Sequence, residues 1–298
     1  MKHLLPACVA IALGLPAFAE APVYASPQQA VEALAAALQD GSVEAVVAVM
    51  DPDAAEFLRD PDDPANTAHL AELAALYAEG YRFVPQAGGG VVIELGREGW
   101  PLAVPLARGE AGWQFDIAAG REEVISRRIG RNELDVIDVL QAYVALQHAY
   151  RTVDHDGDGV LEFAASVLSS PGARDGLYWP GDGSPIGDLA ARAHLDGFDA
   201  GAGPEQPEPF RGYYFRVLQE QGDRAPGGAY SYLVNGNMVA GHAMLAVPAE
   251  YGVTGITSFL VSEAGVVMER DLGPATVATA LGITSFDPGE GWAPVAPE

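Results

Sequence analysis

Between residues 132 and 150 apolar side chains recur at helical spacing over an arc too wide for a single neighbouring helix to cover. Leu134, Ile137, Leu140, Val144 and Gln147 mark one face, and Val136, Val139, Tyr143, Leu146 and Tyr150 thicken it. An ordinary surface helix carries a narrower apolar stripe; a face this broad has to be buried against a sheet. The helical pattern runs from 121 to about 151, with a bend or restart expected at Gly130 and a cap at Asn132. The last third of the chain supplies the sheet. Segments 213–218, 229–234, 238–247, 257–261 and 266–270 read as strands parted by Gly, Asn-Gly and Pro turns. Asn235-Gly236 has the composition of a tight hairpin turn. Tyr213, Tyr214, Tyr230 and Tyr232 alternate on these strands and are expected to pack on the helix.

Upstream the order is helices first, strands second. Ser26-Pro27-Gln28-Gln29 reads as an N-cap, a proline at the first helical position and a capping-box glutamine. Ala30, Val31, Leu34, Ala37 and Leu38 follow at helical spacing until Gly41. A second helix is expected over 43–50 and another over 66–79, with an Asp/Pro-rich loop over 51–64 between them. After Gly80 the period changes, and 81–84, 91–95, 102–107 and 113–117 read as short strands. The whole is therefore an α+β chain. Its N-terminal domain (20–120) holds helices plus an antiparallel sheet, and its second domain (121–298) packs the long helix on another antiparallel sheet. An acidic loop, a short helix over 164–168 and a Gly/Pro-rich stretch to Pro209 are expected to join helix and sheet.

The first nineteen residues do not belong to either domain. Met1-Lys2-His3 is basic, 4–15 is apolar, and Ala17-Phe18-Ala19 is an A-x-A cleavage site: the three parts of a secretory signal peptide. The apolar run is too short for a membrane span, and Cys8 precedes most of it, which argues against a lipoprotein. Removing 1–19 takes away the one cysteine and the one lysine, leaving 15 arginines against 41 acids, a net −26. Disulfides, zinc–thiolate sites, a cysteine nucleophile, Schiff-base chemistry and P-loop chemistry are then excluded. Such a charge repels phosphate backbones and anionic headgroups, so no nucleic acid is expected as a partner. The expected localisation is periplasmic or secreted, with no membrane span in the mature chain.

Several longer motifs carry a resemblance. Trp100-Pro101, Val104-Pro105-Leu106, GWQFDIAAGREEVISRRIGRNE (112–133), VLSSPGARDGLYWP (167–180), RGYYFRVL (211–218), APGGAY (225–230), PAEYGVTGITSFLV (248–261) and GVVMERDLGP (265–274) resemble an exported bacterial family, domain-of-unknown-function family 2950. That resemblance spans nearly all of the mature chain and implies no catalytic residue. NELDVIDVLQAYVALQHAY (132–150), followed by a glycine-rich loop, GYYF and YGVTGITSFLVSEAGVV, also resembles the soluble head of type IV pilins and pseudopilins. The likeness implies a helix on a small antiparallel sheet, with Ser262-Glu263-Ala264-Gly265 as the late turn. A pilin starts with an apolar membrane helix, whereas an acidic domain precedes the helix here. Over 26–119 the pattern resembles the cystatin-like or NTF2-like architecture.

The strongest local chemistry lies just beyond the long helix. Asp154-His155-Asp156-Gly157-Asp158-Gly159 is D-x-D-x-D-G, the first half of an EF-hand loop. The twelfth position is Ala165 rather than a bidentate glutamate, so the loop is not a complete EF-hand. Asp154, Asp156 and Asp158 would offer side-chain oxygens to Ca²⁺, Val160 its carbonyl, and Glu162 a ninth-position contact. The plainer alternative is a solvated acidic turn in which Asp158 caps the next helix. A second candidate is the loop bearing Arg174, Asp175, Tyr178 and Trp179. It is either a recognition loop for another protein, or an ordered turn in which Arg174 pairs Asp175 and Trp179 fills the core.

The six histidines show no spacing that would put two on one helix or strand face. His155 is expected to face solvent, and His242 to be a core or edge histidine. Two readings of function follow. One is a non-enzymatic binding or assembly component of the cell envelope, whose partner is another envelope protein. The other is a small-ligand binder or hydrolase with a pocket in the N-terminal domain near Asp116.

Overall fold

A computed structural model describes residues 21–58, 66–196 and 207–296 of the chain. The expected signal peptide lies outside them, as do parts of the 51–64 loop and of the Gly/Pro-rich stretch before Pro209. The fold divides into two compact units between Glu123 and Val124. Each is a mixture of helices and antiparallel sheet, the α+β class read from the sequence.

In the first unit the helices begin where the capping chemistry places them. The Ser26 hydroxyl accepts from Gln29 N–H, starting α1 (Pro27–Asp40), and Gly41 ends it in the left-handed region at φ 74°. The Ser42 hydroxyl caps α2 (Val43–Met50) through Ala45 N–H. A 3₁₀ turn leads to α3 (Ala55–Leu58), and α4 (Asn66–Glu79) follows. Strands β1 (Tyr81–Pro85), β2 (Val91–Leu95), β3 (Trp100–Pro101), β4 (Leu106–Arg108) and β5 (Trp113–Phe115) form one antiparallel sheet in the order β1-β2-β4-β5, with β3 also on β2. Alternation along β2 sends Ile93 and Leu95 inward, where they are buried with Val31, Leu34 and Leu38 of α1. Of the strand expected over 102–107 only 106–107 is strand, as part of β4; 102–105 form a bend between β3 and β4 in which Leu102, Val104 and Pro105 are buried.

Helix α5 (Ile117–Tyr150) is 34 residues long and begins at Asp116, whose carboxylate accepts from Ala119 N–H. It runs unbroken through Gly130, correcting the expected bend. Gly130 is exposed with open space around it, so the roughly 1 kcal/mol helix penalty of glycine is outweighed by packing on both sides. Asn132 caps nothing; its amide donates to the Thr254 carbonyl at 2.9 Å.

In the second unit, short strands β6 (Ser166–Leu168) and β7 (Gly176–Tyr178) pair in parallel. The helix expected over 164–168 is therefore absent. A single turn, α6 (Asp188–Ala191), precedes β8 (Tyr213–Leu218). The chain continues through β9 (Glu220–Gln221), β10 (Tyr230–Ser231), β11 (Leu233–Val234), β12 (Asn237–Met238), β13 (Ala243–Pro248), β14 (Thr257–Ser262), β15 (Val267–Asp271), α7 (Thr276–Leu281) and β16 (Ala293–Pro294). The main sheet is antiparallel in the order β16-β15-β14-β13-β8. All six residues of β13 are buried, so both faces of the sheet are covered. One face carries α5, tied by Glu133, which accepts from Ile256 N–H and Thr257 N–H, and by the Tyr143 hydroxyl, which donates to Ala243 O. The other carries α7.

The buried stripe of α5 draws on both sets: Leu140 and Gln147 from the face marked by spacing, and Val136, Tyr143 and Tyr150 from the residues expected to thicken it. Leu134, placed on the primary face from spacing, is 54% exposed. The four tyrosines also separate. Tyr213 and Tyr232 are fully enclosed, Tyr214 lies on the sheet face opposite Tyr213, and Tyr230 is exposed. No described helix is long and apolar enough to cross a membrane.

Candidate metal centre

After Tyr150 the helix unwinds and the chain enters a loop ordered by its own carboxylates. Asp154 accepts from Gly157 N–H at 2.7 Å through one oxygen and from Gly159 N–H at 3.0 Å through the other. Asp156 accepts from Asp158 N–H, and Asp158 from Val160 N–H. Gly157 and Gly159 sit at φ 81° and 87°, a region where side chains are strained, so D-x-D-G-D-G spacing matches the path the backbone takes. The result draws one oxygen of each of Asp154, Asp156 and Asp158 to within 4.8 Å of the others. Among the described residues these acids are the one cluster of three or more potential metal ligands. The hydrogen bonds from Gly157 and Gly159 hold the Asp154 carboxyl below the usual range, keeping it ionised.

Glu162 stands apart from the three. Its carboxylate accepts from Met238 N–H at 3.1 Å, and partial burial, then the charges of Asp156 and Asp158, raise its pKa. The loop is stitched to the β11–β12 hairpin by that bond, by Asn237, whose amide donates to Asp158, and by Phe163 N–H to Met238 O. Residues 160–165 form no helix, so Asp158 caps none. Val153, Val160, Leu161 and Val234 flank the loop with exposed apolar side chains, Leu161 at 50% and Val153 at 51%. His155, expected in solvent, is half-buried: its ring stacks on Tyr150 at 4.1 Å and tilts against Trp179 at 5.5 Å.

The second candidate loop divides its residues among different tasks. Trp179 is buried, with its indole N–H donating to Asp182 O, and Arg174 lies over its ring at 5.3 Å. Asp175 accepts from Ser170 N–H and from the Ser170 hydroxyl. The Tyr178 hydroxyl donates to Asp188, which raises its pKa. The Tyr150 hydroxyl donates to the Arg174 carbonyl and fastens this loop to α5. In the first unit Asp116, on which a pocket reading would rest, is occupied as the α5 cap.

One pair escaped the sequence reading altogether. His148 on α5 and His242 before β13 bring their rings to 6.0 Å, edge to face. No spacing rule joins residues on two separate elements, and only the burial of His242 in a strand-rich segment hinted at it.

Residues 21–295 match the family described as "Protein of unknown function (DUF2950)". The chain belongs to this family. No curated protein matches it, and no solved structure does. The match takes in both units of this DUF2950 chain, and three of the longer motifs fall on the main sheet of the second unit or the turn that leads into it. Residues 211–218 contain β8, 248–261 contain the loop held by Asn132 and Glu133 together with most of β14, and 265–274 contain β15. The acidic loop lies within the matched residues 21–295, and its chemistry is read from its own residues.

Proposed function

We propose that this DUF2950 protein is an exported, non-enzymatic binding component of the cell envelope, and that residues 154–162 hold calcium at its binding surface. The observation that carries the reading is the convergence of Asp154, Asp156 and Asp158 immediately beyond the C-terminus of a 34-residue helix. Three carboxylates there face the negative end of the helix dipole as well as one another, and a divalent cation relieves both repulsions. Calcium suits the set because it accepts several oxygen ligands at 2.3–2.6 Å in flexible geometry. Val160 would add its carbonyl, and Glu162 a direct or water-bridged contact in place of its bond to Met238. The exposed Val160, Leu161 and Val234 beside the loop supply apolar surface for a partner, which we take to be another envelope protein. The pilin-head reading of the second unit is supported by the motif order and by α5 lying on an antiparallel sheet.

Lacking a bidentate twelfth ligand, the loop should bind calcium with a dissociation constant of order 0.1–1 mM, as extracellular modules do. Several millimolar calcium should then raise the melting temperature by about 2–8 °C. Magnesium at the same ionic strength should do less, because it keeps its waters and demands a tighter octahedron. The Asp156→Asn/Asp158→Asn double variant should lose the difference. Equal stabilisation by both ions, or a variant that keeps the calcium advantage, means screening of a solvated turn. Export is tested separately: intact-mass analysis of protein from the periplasmic fraction should give a chain starting at Glu20, and retention of Lys2 in that material counts against it.

A further inference from the structure

His242 has no exposed surface, and neither Nδ1 nor Nε2 finds a hydrogen-bond partner. Its ring occupies an aromatic box, 4.7 Å from Phe163, 5.2 Å from Tyr143 and 6.0 Å from His148, all three in edge arrangements. A phenyl ring would fill this box without leaving two polar atoms unpaired, a state that disfavours the fold. An imidazole in such a place has one property that a phenyl lacks: it can take up a proton.

The surrounding groups decide what that proton would meet. From α5 come three. The Tyr143 hydroxyl is committed to Ala243 O and Gln147, His148 is exposed, and Arg151 holds its guanidinium 4.6 Å over the Phe163 ring. From the segment before β6 comes Phe163, while its neighbour Glu162 is turned to Met238 N–H. From the β14–β15 turn comes Glu263, which meets His242 through its backbone, N–H to O at 3.0 Å. From the hairpin side Tyr232 packs on Gly241 and gives its hydroxyl proton to Gln221. No carboxylate accepts from the ring, and the charge that acts on it is the cationic one of His148.

We propose that His242 is an acid-sensitive latch, whose protonation expels the ring from its box and frees the last two turns of α5, with the acidic loop beyond them, from the start of β13. Burial first, then His148, lower the His242 pKa from its ordinary 6.5 to about 4 in the folded chain. The neutral form is the one the fold accommodates. Its contribution is complete above pH 6.5, is lost progressively as pH falls from 6.5 toward 4, and is gone below that. By linkage, the equilibrium constant for opening should rise about 30-fold between pH 7.5 and pH 5. The carboxylates titrate otherwise: Asp154, held low, loses its contribution only below the ordinary carboxylate range, and Glu162, raised, acts with the opposite sign.

The test uses the full chain at pH 7.5 to 4.5, comparing wild type with His242→Phe and His148→Gln. Melting temperature and native-state amide exchange at Phe163, Ala164 and Glu263 report opening, and the imidazole C2–H resonance of His242 reports its titration. The wild type should lose stability and amide protection across this range, whereas the phenylalanine variant should lack that component, because the difference between the two cancels every carboxylate. His148→Gln should raise the pH at which the folded-state His242 resonance titrates and so narrow the window from its lower edge, a shift that a purely structural role for His148 would not produce. A His242 resonance titrating near 6.5 in the folded wild type would overturn the latch, as would identical pH profiles for wild type and His242→Phe. Should the phenylalanine variant not fold, the wild-type resonance and the His148→Gln shift decide alone.

Discussion

Replacing Gln147 by leucine should destabilise the protein by about 2–5 kcal/mol, although leucine is the more apolar residue and the site has no exposed surface. The carboxamide of Gln147 works as a two-way clamp. Its oxygen accepts from Ala164 N–H at 2.9 Å, and its nitrogen donates to Ala164 O at 2.9 Å and to the Tyr143 hydroxyl at 3.1 Å. Ala164 is itself fully buried and belongs to no helix or sheet ladder. A leucine would leave its N–H and C=O both unpaired in the interior, at about 1–3 kcal/mol each. The gain from burying a larger apolar side chain offsets only part of that, since no extra volume is on offer in a filled core. Urea unfolding should show a lower midpoint with an unchanged slope, and melting should fall by about 5–15 °C. A loss under about 1 kcal/mol would mean that water enters and satisfies Ala164 instead.

The same residue shows where the sequence was informative and where it was not. Helical spacing put Gln147 on the buried face of α5, but spacing carries no information about a partner on the 160–165 segment. Signals that act within a few residues were legible. Ser26, Gly41 and Ser42 mark α1 and α2 because a cap is a bond between neighbours, and Asn235-Gly236 forms its hairpin turn because Asn235 adopts φ 54°. The three aspartates of the loop converge for the same reason: the hydrogen bonds from the backbone of 157–160 to their carboxylates span five residues or fewer.

Tertiary choices were not legible. Leu134 loses its place in the core to Tyr143 and Tyr150, whose hydroxyls find Ala243 O and Arg174 O. Residues 166–168 have no local reason to be a strand; they become one because 176–178 lies alongside. Glycine at 130 breaks an isolated helix more readily than one whose flanks are already anchored. The His148–His242 contact and the Asn237–Asp158 bond join elements far apart in the chain, where a single sequence offers no signal.

Arg216 gives the second large effect. Alternation along β8 places it among Tyr214 and Leu218 on the face of the sheet that carries α7, and its side chain is only 13% exposed. Nη1 donates to the carbonyls of Ala280, Leu281 and Ile283 at 3.2–3.3 Å, and Nε donates to Asp196 at 2.8 Å. The carbonyls of Ala280 and Leu281 end α7, a helix of six residues, and that of Ile283 follows it; such a helix is too short to persist without its packing and its caps. The last carbonyls of a helix lack intrahelical donors and carry the negative end of its dipole, so a buried guanidinium among them answers both needs. Arg216→Met should therefore destabilise by about 2–4 kcal/mol: charged hydrogen bonds contribute about 1.5–3 each, but one nitrogen shared among three acceptors does not supply three full bonds. Asp196→Asn should lose less than about 1 kcal/mol, because that carboxylate is half-exposed and its ion pair is screened. Arg216→Lys should fall between them, restoring the charge but not a fork that reaches Asp196 and α7 at once. Urea midpoints give the order, and amide exchange at Gly282 and Ile283, whose N–H groups close the end of α7, locates the loss. If Asp196→Asn matches Arg216→Met, or half-molar salt weakens the wild type to the level of the methionine variant, the ion pair rather than the carbonyl cluster holds α7 to the sheet.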